Sequence, residues 1–265
     1  MSGIALAIPA SGNGDHFLDS LVHALADLLI QNGMSLITKV IADGQSEEQL
    51  YRHWARVGRI SGVVLLEVRA NDRRVKLLRS LGMPFAAVVD ATLDVDFPAV
   101  IVDLAASISV LRRFLAARPH RRAFYITRPV ERVTTLSNTA LIEAIAADDL
   151  FDVVETEHSV DAALTAGSTA SAAGPVTLVF DSDVHAVAAL AAFHTRGISV
   201  PEDVAIISWT NSALCQSARR SITALDRRGS EIGTLIGARI IDAIAGDQVS
   251  HDRAPEPFII VGETA

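Results

Sequence analysis

The stretch GISVPEDVAIISWTN, from Gly197 to Asn211, decides the fold. It begins as a turn, continues through a proline and an acidic pair, and then becomes an apolar run that predicts a buried strand. The run ends at Trp209, Thr210 and Asn211, a large aromatic followed by two small polar side chains. In an open α/β sheet, ligands bind outside the carboxyl ends of the strands. We therefore expect this strand end to contact a ligand, and core packing of Trp209 is the alternative.

Short apolar runs alternate with longer segments of helical period along the chain. IALAIPA, the helical stretch GDHFLDSLVHALADLLIQNG and SLITKVI follow one another near the beginning. Gly33 is placed to end this first helix, and SEEQ at 46–49 is a capping box that opens the next one. A second series starts at RRAFYIT, with helices predicted over about 133–147 and 160–172. The pattern predicts an α/β protein built from two successive halves with parallel sheets.

Composition and charge exclude several classes of function. The chain has 265 residues, 50% of them hydrophobic, and a formal charge of -8, which argues against a nucleic-acid-binding surface. Cys215 is the single cysteine, so no intramolecular disulfide is possible and a reducing compartment is favoured. No apolar run approaches the roughly 18 residues of a membrane helix. We expect a cytoplasmic protein without a membrane partner, and a secreted protein whose signal has been removed is the alternative.

Asp181 and Asp183, in LVFDSDVH, are the strongest catalytic candidates. Asp-x-Asp after a strand is the spacing of a phosphatase nucleophile and its acid/base partner. That chemistry also needs a cation, usually a lysine, downstream, and no lysine follows Asp181. One histidine nearby makes a weak metal site. We therefore expect no catalytic residue, no metal and no cofactor, and a helix N-cap is the local role expected for Asp183.

PASGNGDHF is rich in glycine and lies between the first strand and the first helix. It lacks the spacing of a dinucleotide fingerprint and the Gly-Lys-Ser/Thr of a P-loop, so nucleotide binding is not expected. A loop that lets a ligand approach the backbone is the prediction. His16 is either a ligand contact or an ordinary first-turn histidine.

The opening stretch resembles Gly-Ile-x-Val-Pro-Glu-Asp-Val-x-Val-x-Gly-Phe-Asp-Asp, which is found in regulators of the LacI/GalR family. QNGMSLIT, RISGVVLLEV, LGMPFAAVVD, SITALDRRGSEIG and PFIIVGETA resemble further segments of that family in the same order. The resemblance covers essentially the whole chain. It implies a periplasmic-binding-protein-like effector domain of type I, with two doubly wound subdomains and a ligand cleft between them. The implied subdomains are 1–103 plus 226–254 and 104–225 plus 255–265.

The resemblance also implies a function and a set of site residues. The chain would sense a small-molecule effector, form a homodimer and allosterically control operator DNA binding by an N-terminal helix-turn-helix upstream of residue 1. A free-standing solute-binding protein for transport is the alternative, and an enzyme is a third possibility. The implied ligand-binding residues are Ser11, His16, Phe17, Asp90, Thr135, Ser182, Asp183, Trp209, Thr210, Asn211 and Arg227.

Three positions depart from the family pattern. The arginine that many members use on sugar hydroxyls falls at Thr135, an asparagine falls at Ser182, and an aspartate falls at Thr210. An arginine fork recognises carboxylates and vicinal hydroxyls well, and this chain lacks it at position 135. This departure argues against an ordinary hexose as the effector. Because planar aromatics and small hydroxyls can hold a polyol or a heterocycle, the expected effector is a sugar-like polyol or another small polar metabolite. For dimerisation, we expect apolar contacts from the two helices that carry Trp54, Val75 and Leu78.

Overall fold

The computed structural model describes residues 2–9, 16–41, 46–118, 122–127, 145, 151–155, 164–165, 174–246 and 249–265. The chain divides into two compact units. The first is Met1–Leu104 with Arg228–Pro255, and the second is Ala105–Arg227 with Glu256–Ala265. Each unit is therefore assembled from separate stretches of sequence.

The elements below are numbered along the described residues. The strands are β1 (Ser2–Pro9), β2 (Met34–Ile41), β3 (Ile60–Leu65), β4 (Phe85–Asp90), β5 (Ala99–Val102), β6 (Arg122–Thr127), β7 (Phe151–Glu155), β8 (Val176–Phe180), β9 (Val204–Ser208), β10 (Thr223–Asp226), β11 (His251–Arg253) and β12 (Phe258–Ile260). The helices are α1 (His16–Gln31), α2 (Glu47–Val57), α3 (Arg73–Ser80), α4 (Leu104–Ala116), α5 (Asp183–Thr195), α6 (Ala213–Gln216) and α7 (Gly229–Ala245).

The first unit contains a parallel sheet in the order β11-β5-β4-β3-β1-β2. Alternation along β1 sends Ile4 and Leu6 to the face covered by α1 and α7. Ala5 and Ala7 point to the opposite face, which α2 and α3 cover. The strand order reverses between β1 and β3, and such a switch point is where ligands bind in doubly wound sheets.

Helices α1 and α7 approach each other closely because α7 carries glycine at every fourth position. A Cβ atom on Gly233 would lie 2.2 Å from the carbonyl oxygen of Leu21, and one on Gly229 would lie 2.3 Å from Ser20 Oγ. A Cβ on Gly237 would meet Leu28 at 2.7 Å. Glycine therefore sets the distance between these helices, and the buried isoleucines of α7 pack beside the contact.

The second unit contains a sheet in the order β12-β10-β9-β8-β6-β7. Its pairings are parallel except the one between β10 and the terminal strand β12. Strands β8 and β9 are buried along their whole length, and Phe180 and Ile206 pack against Phe193 of α5. The order reverses between β6 and β8. The predicted α/β architecture with two mostly parallel sheets is confirmed.

Several local predictions can be compared with the structure. Gly33 follows α1 with a φ of 72° and donates its N–H to Ile30, so the prediction of a terminating glycine is confirmed. Ser46 does precede α2, but its side chain makes no capping hydrogen bond, so the capping box is wrong in this respect. The helices predicted over 133–147 and 160–172 lie largely outside the described residues. Within the described part of the chain, no helix combines the length and apolarity needed to cross a membrane.

The predicted source of the dimer contacts is also wrong. Trp54, Val75 and Leu78 are buried in the core of the first unit, beneath α2 and α3. The apolar faces of α2 and α3 pack against the sheet of the same unit, so these side chains cannot contact a second chain. An amphipathic pattern predicts that one face of a helix is buried, but it does not identify the surface that buries it.

Candidate functional site

Three predicted ligand contacts lie in the first unit: His16 and Phe17 at the start of α1, and Asp90 at the carboxyl end of β4. His16 and Phe17 open α1, and both are half-buried. The Phe17 carbonyl accepts a hydrogen bond from Ser20 Oγ over 2.9 Å. A Cβ on Gly229 would lie 2.8 Å from this same carbonyl, so Phe17 is also part of the contact between α1 and α7. Ser11 lies outside the described residues.

Asp90 ends β4 and organises the backbone around it. Its Oδ1 accepts hydrogen bonds from the N–H of Thr92 over 3.0 Å and from Thr92 Oγ1 over 2.7 Å. Its Oδ2 accepts from the N–H of Leu104, at the start of α4, over 3.4 Å. Asp90 therefore holds a strand end beside a helix start. Its predicted contact with a ligand stays a prediction.

A charged network at the end of β3 was missed by the sequence analysis. Arg74 Nη2 donates to the carbonyls of Leu66 and Glu67 over 3.0 and 2.9 Å, and Arg74 also bonds Asp72 through Nε and Nη2. Its Nη1 donates to Glu47 over 3.1 Å. Glu67 has a φ of 53°, in the left-handed region that non-glycine residues rarely adopt. Arg74 thus fixes the loop that leaves the strand at the switch point.

Buried charge shifts the pKa values within this network. Burial alone would raise the pKa of Asp72, but the hydrogen bonds and charge of Arg74 lower it below its usual value. Burial raises the pKa of Tyr51, as does the neighbouring Glu47 carboxylate, which accepts from the Tyr51 hydroxyl over 2.7 Å. In the sequence, the signal for this charged network is EVRAND at 67–72, where polar residues directly follow a buried strand.

In the second unit, the ends of β6 and β8 are tied together at the switch point. Thr127 is buried, and its Oγ1 donates to Asp181 Oδ2 over 3.0 Å. The backbone N–H of Asp181 donates to the carbonyl of Ile126 over 3.0 Å. This pair joins residues 54 positions apart. Asp181 was predicted only as a candidate for a nucleophile or a weak metal site, and Thr127 was not predicted as a site residue.

Ser182 and Asp183 follow on the same loop and begin α5. Ser182 is the N-cap residue, although its side chain makes no capping bond, and Asp183 is the first helical residue. The predicted N-cap role of Asp183 is therefore wrong by one position. Asp183 is 3% exposed, and its Oδ1 accepts from the N–H of Val184 over 2.9 Å. Thr135 lies outside the described residues.

The end of β9 brings Trp209, Thr210 and Arg227 together. The Trp209 ring is 2% exposed and meets Tyr125 edge to face, with ring centroids 6.2 Å apart and an interplanar angle of 89°. The guanidinium of Arg227 lies 5.9 Å from the centre of the Trp209 ring. Arg227 Nη2 also donates to Thr210 Oγ1 over 2.9 Å. A cation over an aromatic face and a hydroxyl bond fix this arginine from two directions.

Hydrogen bonds from short polar side chains hold the backbone next to this cluster. Ser208 Oγ donates to the carbonyl of Thr210 over 2.7 Å and accepts from the Thr210 N–H over 3.2 Å. Ser212 caps α6 by accepting from the N–H of Cys215 over 3.2 Å. Burial raises the pKa of the Cys215 thiol, which disfavours the reactive thiolate form.

Asn211 is held within the same cluster by two side chains. Its Nδ2 donates to Asp226 Oδ2 over 3.3 Å, and its Oδ1 accepts from Gln216 Nε2 over 2.9 Å. The structure therefore brings Trp209, Thr210, Asn211 and Arg227 together at one edge of the second sheet. Their predicted role as ligand contacts stays a prediction.

Comparisons with known proteins agree on one type of domain. The family described as "Periplasmic binding protein-like domain" matches residues 112–265, more than half of the chain. The HTH-type transcriptional regulator AglR of Rhizobium meliloti (strain 1021) is 23% identical over 265 residues, covering 96% of this chain and 73% of that protein.

Two solved structures share the fold. A LacI family transcriptional regulator from Bifidobacterium animalis subsp. lactis DSM 10140 has a TM-score of 0.80 at 24% identity, covering 99% of this chain and 97% of that one. A complex of the transcriptional regulator CelR with cellobiose has a TM-score of 0.72 at 20% identity, covering 100% of this chain and 85% of that one. The predicted resemblance to LacI-type effector-binding domains is confirmed by these comparisons.

Proposed function

Because the chain belongs to the family of periplasmic binding protein-like domains, we propose that it is the effector-sensing domain of a LacI-type transcriptional regulator. Such a domain binds and releases its ligand unchanged and catalyses nothing. The relatives that carry a functional name are called transcriptional regulators, which supports a regulator over a transport protein. In this role the protein works in the cytoplasm, where its operator DNA lies.

The observation that carries the proposal is the group of polar side chains at the carboxyl edge of the second sheet. Trp209, Thr210 and Arg227 are in contact there, and Asp181 and Asp183 follow the neighbouring strand β8. Carboxyl ends of parallel strands are where α/β sheets bind ligands. These side chains offer both donors and acceptors, which suits a molecule rich in hydroxyl groups.

On this proposal, the effector contacts Asp183 at the carboxyl edge of the second sheet, and His16 and Asp90 stay predicted ligand contacts of the first unit. A ligand that binds two conformations with different affinities shifts the population between them. That shift would change the spacing of two N-terminal DNA-binding heads, so operator DNA is a partner of the heads rather than of this chain. The coupling is reciprocal, because operator binding must alter effector affinity by the same factor.

The effector class is proposed from chemistry and from one relative. CelR was solved as a complex with cellobiose. For this chain we propose only the broader class, a sugar-like polyol or another small polar metabolite. The carboxylates of Asp181 and Asp183 can accept hydroxyl donors, while Arg227 can donate to hydroxyl oxygens.

Thermal unfolding in the presence of candidate effectors tests this function. Cellobiose, maltose, glucose and myo-inositol form a first panel. Each is titrated up to a concentration of about 100 times a micromolar Kd. A specific ligand raises the unfolding temperature and the rise follows a binding curve. Trimethylamine N-oxide, an excluded osmolyte without hydroxyl groups, serves as the control, because it raises the unfolding temperature gradually without a binding midpoint. If every panel member behaves like the osmolyte control, the proposed effector class is wrong.

The homodimer is proposed on a different surface from the one predicted. Strand β2 is the edge strand of the first sheet, and it exposes Ile37 and Val40 by 40% and 48%. Ile30 at the end of α1 and Val57 at the end of α2 are exposed by 66% and 50%. A long edge strand with exposed apolar side chains is a template for association with another chain. We propose that β2 contributes to the dimer contact.

A further inference from the structure

The indole N–H of Trp209 is a buried donor without a hydrogen-bond partner among the residues that the structure describes. Among the described residues, no acceptor forms a hydrogen bond with Trp209 Nε1, and the side chain is 2% exposed. An indole nitrogen can only donate, so it cannot be satisfied by a neighbouring N–H group. Buried polar groups in folded proteins are nearly always paired, and each exception requires an explanation.

The contacts described around the Trp209 ring bring a cation and its hydroxyl partner close to it. Arg227 approaches the ring, and a guanidinium has no acceptor to offer. Thr210 Oγ1 accepts from Arg227 Nη2 over 2.9 Å and forms no bond with the indole N–H. The backbone N–H of Trp209 is satisfied by the carbonyl of Phe180 over 2.8 Å, so only the side-chain donor is left without a partner. Among the described residues, the indole N–H therefore has a donor beside it and no acceptor paired with it.

The position of Trp209 favours a ligand as the source of an acceptor oxygen. Trp209 directly follows β9, at the carboxyl edge where α/β sheets bind ligands. Its ring is fixed by the edge-to-face contact with Tyr125 and by the buried bonds of Ser208 and Thr210 behind it. A rigid donor at a strand end is preorganised to recognise one atom of a bound molecule.

We propose that the indole N–H of Trp209 donates a hydrogen bond to an oxygen of the bound effector and thereby selects molecules that carry an acceptor at that point. The inference rests on the proposed function, since it assumes that an effector binds at this edge of the second sheet. A hydroxyl, ring or carboxylate oxygen satisfies the donor, whereas a methylene group leaves it unpaired. A site built around such a bond discriminates strongly against ligands that lack the oxygen.

Trp209→Phe tests the bond because it removes the N–H and keeps an aromatic ring. The probe is whichever of cellobiose, maltose, glucose and myo-inositol binds wild-type protein most tightly. We expect the variant to bind it at least about 10-fold more weakly, as follows from losing one buried hydrogen bond to a ligand. Trp54→Phe is the matched control, because Trp54 is the only other tryptophan and lies in the core of the first unit. The control is expected to bind like wild type.

A second measurement does not depend on the folding of any variant. In nitrogen-15-edited spectra of the wild-type protein, the Trp209 indole resonance should shift on addition of the probe, and its exchange with solvent should slow. Equal affinity of Trp209→Phe and wild type, or an indole resonance that does not respond while the probe binds, would overturn this inference and leave the proposed function intact. If no probe binds wild type, the proposed effector class fails, and this inference fails with it.

Discussion

The hydroxyl of Thr127 donates to the carboxylate of Asp181 over 3.0 Å and ties the end of β6 to the end of β8. These strands are neighbours at the place where the second sheet reverses its strand order. The bond fixes one carboxylate oxygen of Asp181 at the position where doubly wound sheets bind their ligands. Thr127 is therefore expected to matter both for stability and for the orientation of a carboxylate in the proposed binding site.

Thr127→Val should lower the free energy of unfolding by about 1–3 kcal/mol, because the half-buried carboxylate of Asp181 loses its hydroxyl donor while the side-chain shape is kept. Urea denaturation measures this change. Thr195→Val is the matched control, since its hydroxyl bonds a helix carbonyl at an exposed position. The control should change stability by less than about 0.5 kcal/mol. Equal effects of the two substitutions would show that the bond to Asp181 is not special.

The sequence allowed the strand ends to be predicted but not the bonds between them. Trp209, Thr210 and Asn211 were predictable because an apolar run stops there and polar side chains begin. The pairing of Thr127 with Asp181 was not, because nothing local specifies a contact across 54 positions. The same reason applies to Arg74, whose partner Glu47 lies 27 residues away.

Amphipathic patterns and capping motifs were less informative than strand ends. The pattern around Trp54 and Leu78 correctly indicates a covered face, yet the cover is the protein's own sheet. Ser46 has the expected extended backbone, but its hydroxyl does not cap α2. In both cases the sequence specifies a local preference, and the tertiary surroundings decide which partner satisfies it.

Gly233→Ala should destabilise the first unit. Replacing glycine by alanine in a helix interior normally stabilises the helix by about 1 kcal/mol. Here the new Cβ would lie 2.2 Å from the backbone carbonyl oxygen of Leu21, which cannot move like a flexible side chain. We expect a net loss of about 1–3 kcal/mol from overpacking, measured by thermal or urea unfolding. Thr234→Ala, at an exposed position of the same helix, is the control and should be nearly neutral.

Asp72 should make the protein less stable in acid. Its pKa is lowered in the folded state, so its stabilising contribution is complete above its unfolded pKa and is lost as pH falls through the folded value. Asp72→Asn should lower the free energy of unfolding at pH 7 by about 1–3 kcal/mol. The variant should also lose less stability than wild type between about pH 5 and pH 3. Urea midpoints across this range measure both effects.

Asp96→Asn provides the comparison for that pH experiment. The pKa of Asp96 is also lowered by a hydrogen bond to an arginine, Arg79, but the Asp96 side chain is 78% exposed. Exposed ion pairs contribute little to stability because solvent screens them. Its urea midpoints should follow those of wild type at every pH. Parallel curves for wild type and Asp72→Asn would instead remove Asp72 as a source of acid sensitivity.

The chain should be a dimer in solution, with a mass near twice 28.2 kDa by light scattering at micromolar concentration. Ile37→Asp combined with Val40→Asp should shift the mass to that of one chain, because charge on an edge strand opposes association. Val261→Asp, at an exposed position of the second unit, is the control and should stay dimeric. A wild-type mass of 28.2 kDa would contradict the dimer for this chain.

Isothermal titration calorimetry of wild-type protein and Asp183→Ala tests the central claim most directly. The titrant is the panel compound that gives the largest saturable rise in unfolding temperature. The account predicts one molecule bound per chain and an affinity loss of about 5- to 150-fold in the variant, which is the effect of removing a buried acceptor from a ligand hydroxyl. Unchanged affinity together with a lowered unfolding temperature would place Asp183 outside the site and contradict a ligand at the carboxyl edge of β8.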